Sequence, residues 1–148
     1  MATLSRKNPD ALDDLARKFD APRTLKVGFL KGATYPVTNL PVGRVAAWNE
    51  FGVPVHNQPP RPFFRIMIAE QAPKWGPMTA ALLKANDNDV DAVLDVMGQE
   101  IQGRIKESIN ALMEPPLAAS TITKKGFDKP LIEHAIMVNA VSYEVLGA

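Results

Sequence analysis

Thirteen prolines in 148 residues, about 9% where ~5% is usual, decide where this chain can be regular. Each fixes φ near −65°, removes a backbone donor and pushes the preceding residue toward extended geometry. Pro22, Pro115 and Pro116 therefore read as stops, and Pro9, Pro62 and Pro130 as first residues of helices. Four fall within nine residues, Pro54, Pro59, Pro60 and Pro62. They predict a rigid proline-rich connection over 53–62 in which no helix interior fits.

Between these marks the hydrophobic spacing is legible. Asn8 and Pro9 open an amphipathic helix over 9–20, with Leu12, Leu15, Ala16 and Phe19 on one stripe. Leu25, Val27 and Phe29 alternate with Lys26 and Gly28, which predicts a strand over 24–30. Residues 31–43 are rich in turn formers and read as a mobile loop, of a composition that suits ordering on assembly. Arg44 to Phe51 suit a two-turn helix, with Gly52 where a left-handed C-cap is wanted. A further helix opens at Pro62, is broken or kinked at Pro73 and the Trp75-Gly76-Pro77 turn, and resumes over 77–85. The longest periodic run places Val90, Val93, Leu94, Met97, Ile101, Ile105, Ile109 and Leu112 on one stripe, predicting the main helix over 89–113. A helical turn from Pro130 to Val138 and a strand over 139–146, with Val141, Tyr143 and Val145 alternating, close the chain. This is one α+β domain over 1–148: a small, mainly antiparallel sheet packed against the long helix of the C-terminal half, with shorter helices around it.

Composition narrows the function classes. Seventeen Lys+Arg against 16 Asp+Glu leave a net charge of +1, which gives no global pull toward phosphate backbones or acidic lipids. The basic clusters, Arg6-Lys7, Arg61 with Arg65, and Lys124-Lys125 with Lys129, are not interleaved with aromatics as a base-stacking surface would be. Neither sequence-specific nucleic-acid binding nor membrane binding is expected. The start turns polar at once and no apolar run approaches ~18 residues, so neither signal peptide nor anchor is predicted. No cysteine is present, which excludes thiol catalysis and thiolate zinc sites.

Catalytic chemistry needs converging titratable groups, and few present themselves. His56 and His134 stand apart, without metal-ligand spacing. Asp13-Asp14 and Asp87/Asp89 read as helix-start acids, and the glycines form neither a phosphate loop nor a dinucleotide fingerprint. Ser142, His134 and Asp128 have no nucleophile signature around them. Trp48, Phe51, Phe63 and Phe64 read as core aromatics. No catalytic residue, metal or cofactor is expected, and loops on a rigid scaffold are the natural contact surfaces for other proteins. Short edge strands add a second route, completion by a neighbouring subunit.

Three motifs in order carry a resemblance. Val45-Ala46-Ala47-Trp48-Asn49-Glu50-Phe51-Gly52 is followed by Pro59-Pro60-Arg61-Pro62-Phe63-Phe64-Arg65. Later come Ser120-Thr121-Ile122, Lys125-Gly126-Phe127-Asp128-Lys129-Pro130-Leu131-Ile132 and the closing Val141-Ser142-Tyr143-Glu144-Val145. Over roughly 25–146 the set resembles the small neck and tail-completion proteins of tailed bacteriophages and prophages. The resemblance implies a non-enzymatic virion morphogenesis protein at the head–tail connector or tail end. It would form a ring of sixfold symmetry, contact other tail or connector proteins, and reside in the virion after assembly in the bacterial cytoplasm. One departure is that Glu133-His134-Ala135 stands where such proteins carry a small pair such as Thr-Gly.

The residues singled out as structural or interaction motif are Glu50, Phe51, Gly52, Pro60, Arg61, Pro62, Phe63, Lys125, Gly126, Lys129 and Pro130. Within them Gly52 permits a sharp turn, and Arg61 is available to a carboxylate, with Glu50 a near candidate. The competing reading is a small prophage-encoded nucleic-acid-binding regulator or enzyme that uses Glu50, His56, Arg61 and Arg65 as one site.

Overall fold

The computed structural model describes residues 10–30, 32–112 and 129–147. In chain order the elements are α1 (Ala11–Phe19), β1 (Arg23–Gly28), α2 (Val42–Phe51), a 3-10 turn (Pro54–His56), α3 (Phe64–Ala85), α4 (Val90–Ala111), α5 (Lys129–Ala140) and β2 (Ser142–Gly147). The α+β class expected from the periodicities is the observed one. Its sheet is the antiparallel pair β1–β2, in register from Arg23 opposite Gly147 to Gly28 opposite Ser142. Asn8 and Pro9 lie outside the described residues.

The main helix is centred where its stripe put it. Val93, Met97, Ile105 and Ile109 are buried, and α4 packs against both strands, α3 and α5. Asp89 caps it by accepting from the Ala92 amide at 3.1 Å. The alternation in β1 turns Leu25 and Val27 inward, opposite Val145 and Tyr143 of β2, and leaves Thr24 and Lys26 exposed. Gln102 Nε2 donates to the Val141 carbonyl at 2.8 Å, tying the entry of β2 to α4.

The contact of α4 with β2 depends on a missing side chain. Gly98 is buried under Tyr143, and a Cβ there would lie 2.7 Å from ring Cγ and 2.8 Å from Cε2. The ring is held by its hydroxyl, which donates to Asp95 Oδ1 at 2.7 Å. That hydrogen bond, with burial added, keeps the phenol above its ordinary pKa. Gly98→Ala should therefore cost about 1–3 kcal/mol through overpacking, despite the gain in helix propensity. A urea midpoint equal to wild type would show that the ring moves aside freely.

One element differs from the sequence reading. The expected break at Pro73 and Pro77 is absent, and α3 runs unbroken through both over 22 residues. Both prolines lie on its exposed face, so the carbonyls of Ala69 and Pro73 that lose donors can turn to water. The opposite face, Phe64, Met67 and Trp75, packs into the core and holds the helix together across them. Between β1 and α2, residues 32–41 form a connection with backbone bonds of its own. Tyr35 donates from its amide to Leu40 O at 2.9 Å and accepts from Asn39 N at 2.8 Å, while Val42 N donates to Ala33 O at 2.9 Å. Tyr35 itself is 7% exposed and belongs to the core with Val42, Ala46, Phe63, Ile105 and Val141.

Burial also sets a pH dependence. In α5, His134 Nε2 lies 2.8 Å from Asn110 Oδ1 of α4, and burial pushes its imidazole below the usual value. A lowered folded-state pKa means a stabilisation that is present above ~6.5 and is lost as pH falls through the folded-state value. The stability difference between wild type and His134→Gln, read by urea unfolding, should shrink between pH 8 and pH 5. A constant difference would remove the imidazole from the pH response.

Candidate functional site

Residues 49–65 fold into one elbow between α2 and α3. The buried face of α2 is Val42, Ala46 and Glu50 at four-residue spacing, so the last turn carries a carboxylate into the interior with 5% exposure. There it meets the start of α3, whose first amides have no intrahelical partners. Phe64 N donates to Glu50 Oε2 at 2.9 Å and Arg65 N to Oε1 at 3.2 Å. The Arg65 guanidinium closes over the pair, Nε donating to Oε1 at 2.7 Å and its NH2 group to the Glu50 carbonyl at 3.1 Å. Glu50 thus caps a helix 14 residues away in sequence and neutralises the positive end of its dipole.

The connection that allows this is pinned at every step. Gly52 has φ +74°, and its missing Cβ leaves room for the returning chain, since a Cβ would sit 2.7 Å from Gln58 O and 2.8 Å from Pro60 N. Val53 and Gln58 pair through Val53 N to Gln58 O at 2.9 Å and Gln58 N to Val53 O at 3.2 Å, around a turn in which Asn57 is left-handed. Arg61 N donates to Asn49 O at 2.6 Å, and Gln58 Nε2 donates to Asn49 Oδ1 at 3.3 Å. Phe63 is buried edge-on against Phe29 with 6.5 Å between ring centroids, and its carbonyl accepts from Ser108 Oγ of α4 at 2.6 Å.

Of the residues singled out from sequence, Glu50, Phe51, Gly52, Pro60, Arg61, Pro62 and Phe63 are brought together in this elbow. Lys125 and Gly126 lie outside the described residues, and Lys129 and Pro130 open α5. Residues 133–135, where the resemblance departs, fall inside that helix. Two corrections follow. The carboxylate of Glu50 is taken by Arg65 and not by Arg61, whose amide is the group that anchors it to Asn49. The reason is geometric: Arg65 carries one of the two amides that Glu50 caps, whereas Arg61 precedes the turn into α3.

The aromatics expected in the core divide between the interior and the surface. Phe63 is core, but Phe51 is 65% exposed and Trp48 is 39% exposed. They lie three residues apart on α2, away from the Val42/Ala46/Glu50 face. The Arg65 guanidinium stands 5.3 Å from the Phe51 ring centroid, a cation–π contact at an exposed site.

Known proteins give no further handle. No family model, curated protein or solved structure matches this chain.

What the elbow can do is therefore read from its own chemistry. Glu50 receives three N–H donors on its two oxygens, which suits a structural acceptor. Arg61, Phe51 and Val55, the last 88% exposed, project from a backbone that cannot rearrange cheaply. Aromatic and guanidinium groups such as Phe51 and Arg61 are of the kinds enriched at protein contacts. Sequence reasoning missed Asn49, whose carbonyl and side chain lock the returning loop; its place directly before Glu50-Phe51-Gly52 was the available signal.

A second polar feature lies at the far end of α3. A groove of about 400 Å³ is lined by Lys18, Arg23 and residues 86–91. Its cations are engaged: Lys18 Nζ donates to the Asp87 carbonyl and Arg23 Nε to Asp91 Oδ1 at 2.7 Å. These bonds fasten α1 and β1 to the α3–α4 turn. Among the described residues no cluster of His, Asp or Glu is arranged to hold a metal ion, and no helix is long and apolar enough to cross a membrane.

Proposed function

We propose that this chain is a structural building block of a tailed bacteriophage or prophage particle, acting at the neck or tail end through self-assembly and contacts with other particle proteins. The observation that carries the reading is the elbow. The first two ordered motifs of the resemblance are its two halves, joined by the Glu50 cap, Gly52 and the Asn49–Arg61 bond. Further support comes from surface chemistry. Among the described residues the sheet has two strands, each with an outer edge that pairs with no further strand, and Phe51, Val55 and the apolar stripe of α1 are exposed, as expected of a subunit that meets neighbours.

The test is genetic and structural together. Deleting the coding sequence from an inducible prophage should yield particles with unjoined or unfinished tails, and mass spectrometry of wild-type particles should find the protein in them. Complete, infectious particles formed without it would overturn the reading. Salt-dependent binding of the purified chain to DNA, with no incorporation into particles, would favour the regulator instead.

A further inference from the structure

Every residue of α1 is exposed, yet the helix carries Leu12, Leu15 and Phe19 on one stripe, Leu12 at 78% exposure. A nine-residue helix whose apolar face is largely open gains little from tertiary packing among the described residues, so its stripe is left for a contact beyond them. Its charge says what kind of surface. Residues 10–20 hold four aspartates against Arg17 and Lys18; Arg17 is paired with Asp14, and the segment keeps a net negative charge. The elbow and the α2 helix that leads into it are the complement: Arg65 is paired with Glu50, the one carboxylate over residues 41–68, which leaves the charges of Arg44 and Arg61 uncompensated.

One molecule cannot bring these patches together. The elbow feeds the first turn of α3, while Lys18 fastens the end of α1 to Asp87, just beyond the last turn. At 1.5 Å per residue the 22 residues of α3 separate the two by about 33 Å, and the nine residues of α1 span about 13 Å. A symmetric contact of two elbows would set their arginines against each other, at a cost.

We propose that α1 of one subunit docks on the elbow of the next, its apolar stripe against Phe51 and Val55 and its Asp13 end toward Arg61. The contact is heterologous and head to tail, the type that closes into rings or runs into filaments. It is small, at or below ~1,200 Å² of buried surface, and so weak outside an assembling particle. This inference rests on the structural reading above and adds the surfaces that would carry it.

Two variants of the full chain test it, Asp13→Lys/Leu15→Lys in α1 and Val55→Glu/Arg61→Glu in the elbow. All four side chains are exposed, so thermal melts should stay within about 2 °C of wild type. In sedimentation velocity from about 10 to about 500 µM, wild type should self-associate with rising concentration, and each variant alone should associate at least ~10-fold more weakly. An equimolar mixture should recover dimers and nothing larger, because one intact α1 then meets one intact elbow. Association of either variant like wild type, no gain on mixing, or a wild type that stays monomeric throughout would each overturn the contact. Incorporation of wild-type protein into particles is scored separately: if the protein enters particles while the variants associate normally, the contact is wrong and the structural reading stands.

Discussion

Gly52→Ala is expected to destabilise the protein by about 3–5 kcal/mol, enough to remove much of the ~5–15 kcal/mol available to a domain. Two costs combine. A φ of +74° with ψ of 171° is a conformation nearly reserved for glycine and strained by ~1–3 kcal/mol in other residues. The added methyl would also meet Gln58 O at 2.7 Å, Pro60 N at 2.8 Å and Pro59 C at 3.0 Å. These are backbone atoms of a proline-stiffened loop with no rotamer to escape into. Relief requires the returning chain to lift from Gly52, which breaks the Val53–Gln58 pair and the Arg61–Asn49 bond and releases the cap on α3. Gly103 is the control: it lies within α4 with nothing within 4 Å of a Cβ. Gly103→Ala should be neutral or stabilising by up to ~1 kcal/mol. Urea unfolding of both variants decides the matter, and a Gly52→Ala loss under 1 kcal/mol would show the elbow to be compliant.

How much of this was open to sequence reasoning follows from what sets each feature. Main-helix and strand periods are local, so α4, β1 and the alternation in β2 could be read directly. Gly52 is legible as the end of α2 from its place after Phe51, but its deeper requirement, room for residues 58–60, is tertiary. The continuity of α3 through Pro73 and Pro77 was hidden because a proline's local penalty is fixed, whereas its relief depends on which face meets water. Exposure of Phe51 and Trp48 was likewise invisible: aromatic type predicts burial on average, and only the direction in which α2 buries Val42, Ala46 and Glu50 decides otherwise. Choosing Arg65 over Arg61 needed the backbone path into α3. Tyr35 gave no periodic signal, since a single anchor in a loop has no repeat to reveal it.

Glu50→Ala is expected to cost about 2–4 kcal/mol, most of it from the cap and little from the ion pair. Removing the carboxylate orphans the Phe64 and Arg65 amides in a half-buried site, at ~1–3 kcal/mol for a donor left unsatisfied. It also withdraws negative charge from the α3 N-terminus. The guanidinium contributes less because the Arg65 side chain is 56% exposed and can return to water. The two halves of the interaction are therefore unequal, and single substitutions should rank accordingly. Glu50→Ala should lower the melting temperature by roughly 4–16 °C, at ~2–4 °C per kcal/mol for a chain of this size. Glu50→Gln keeps one acceptor oxygen and should lose about half as much. Arg65→Ala should lose under ~1 kcal/mol, since the carboxylate still holds both amides. In the double-mutant cycle most of the Glu50 loss should persist without Arg65. An Arg65→Ala loss as large as that of Glu50→Ala would reverse the assignment, making the salt bridge the fastening of the elbow and the cap its by-product.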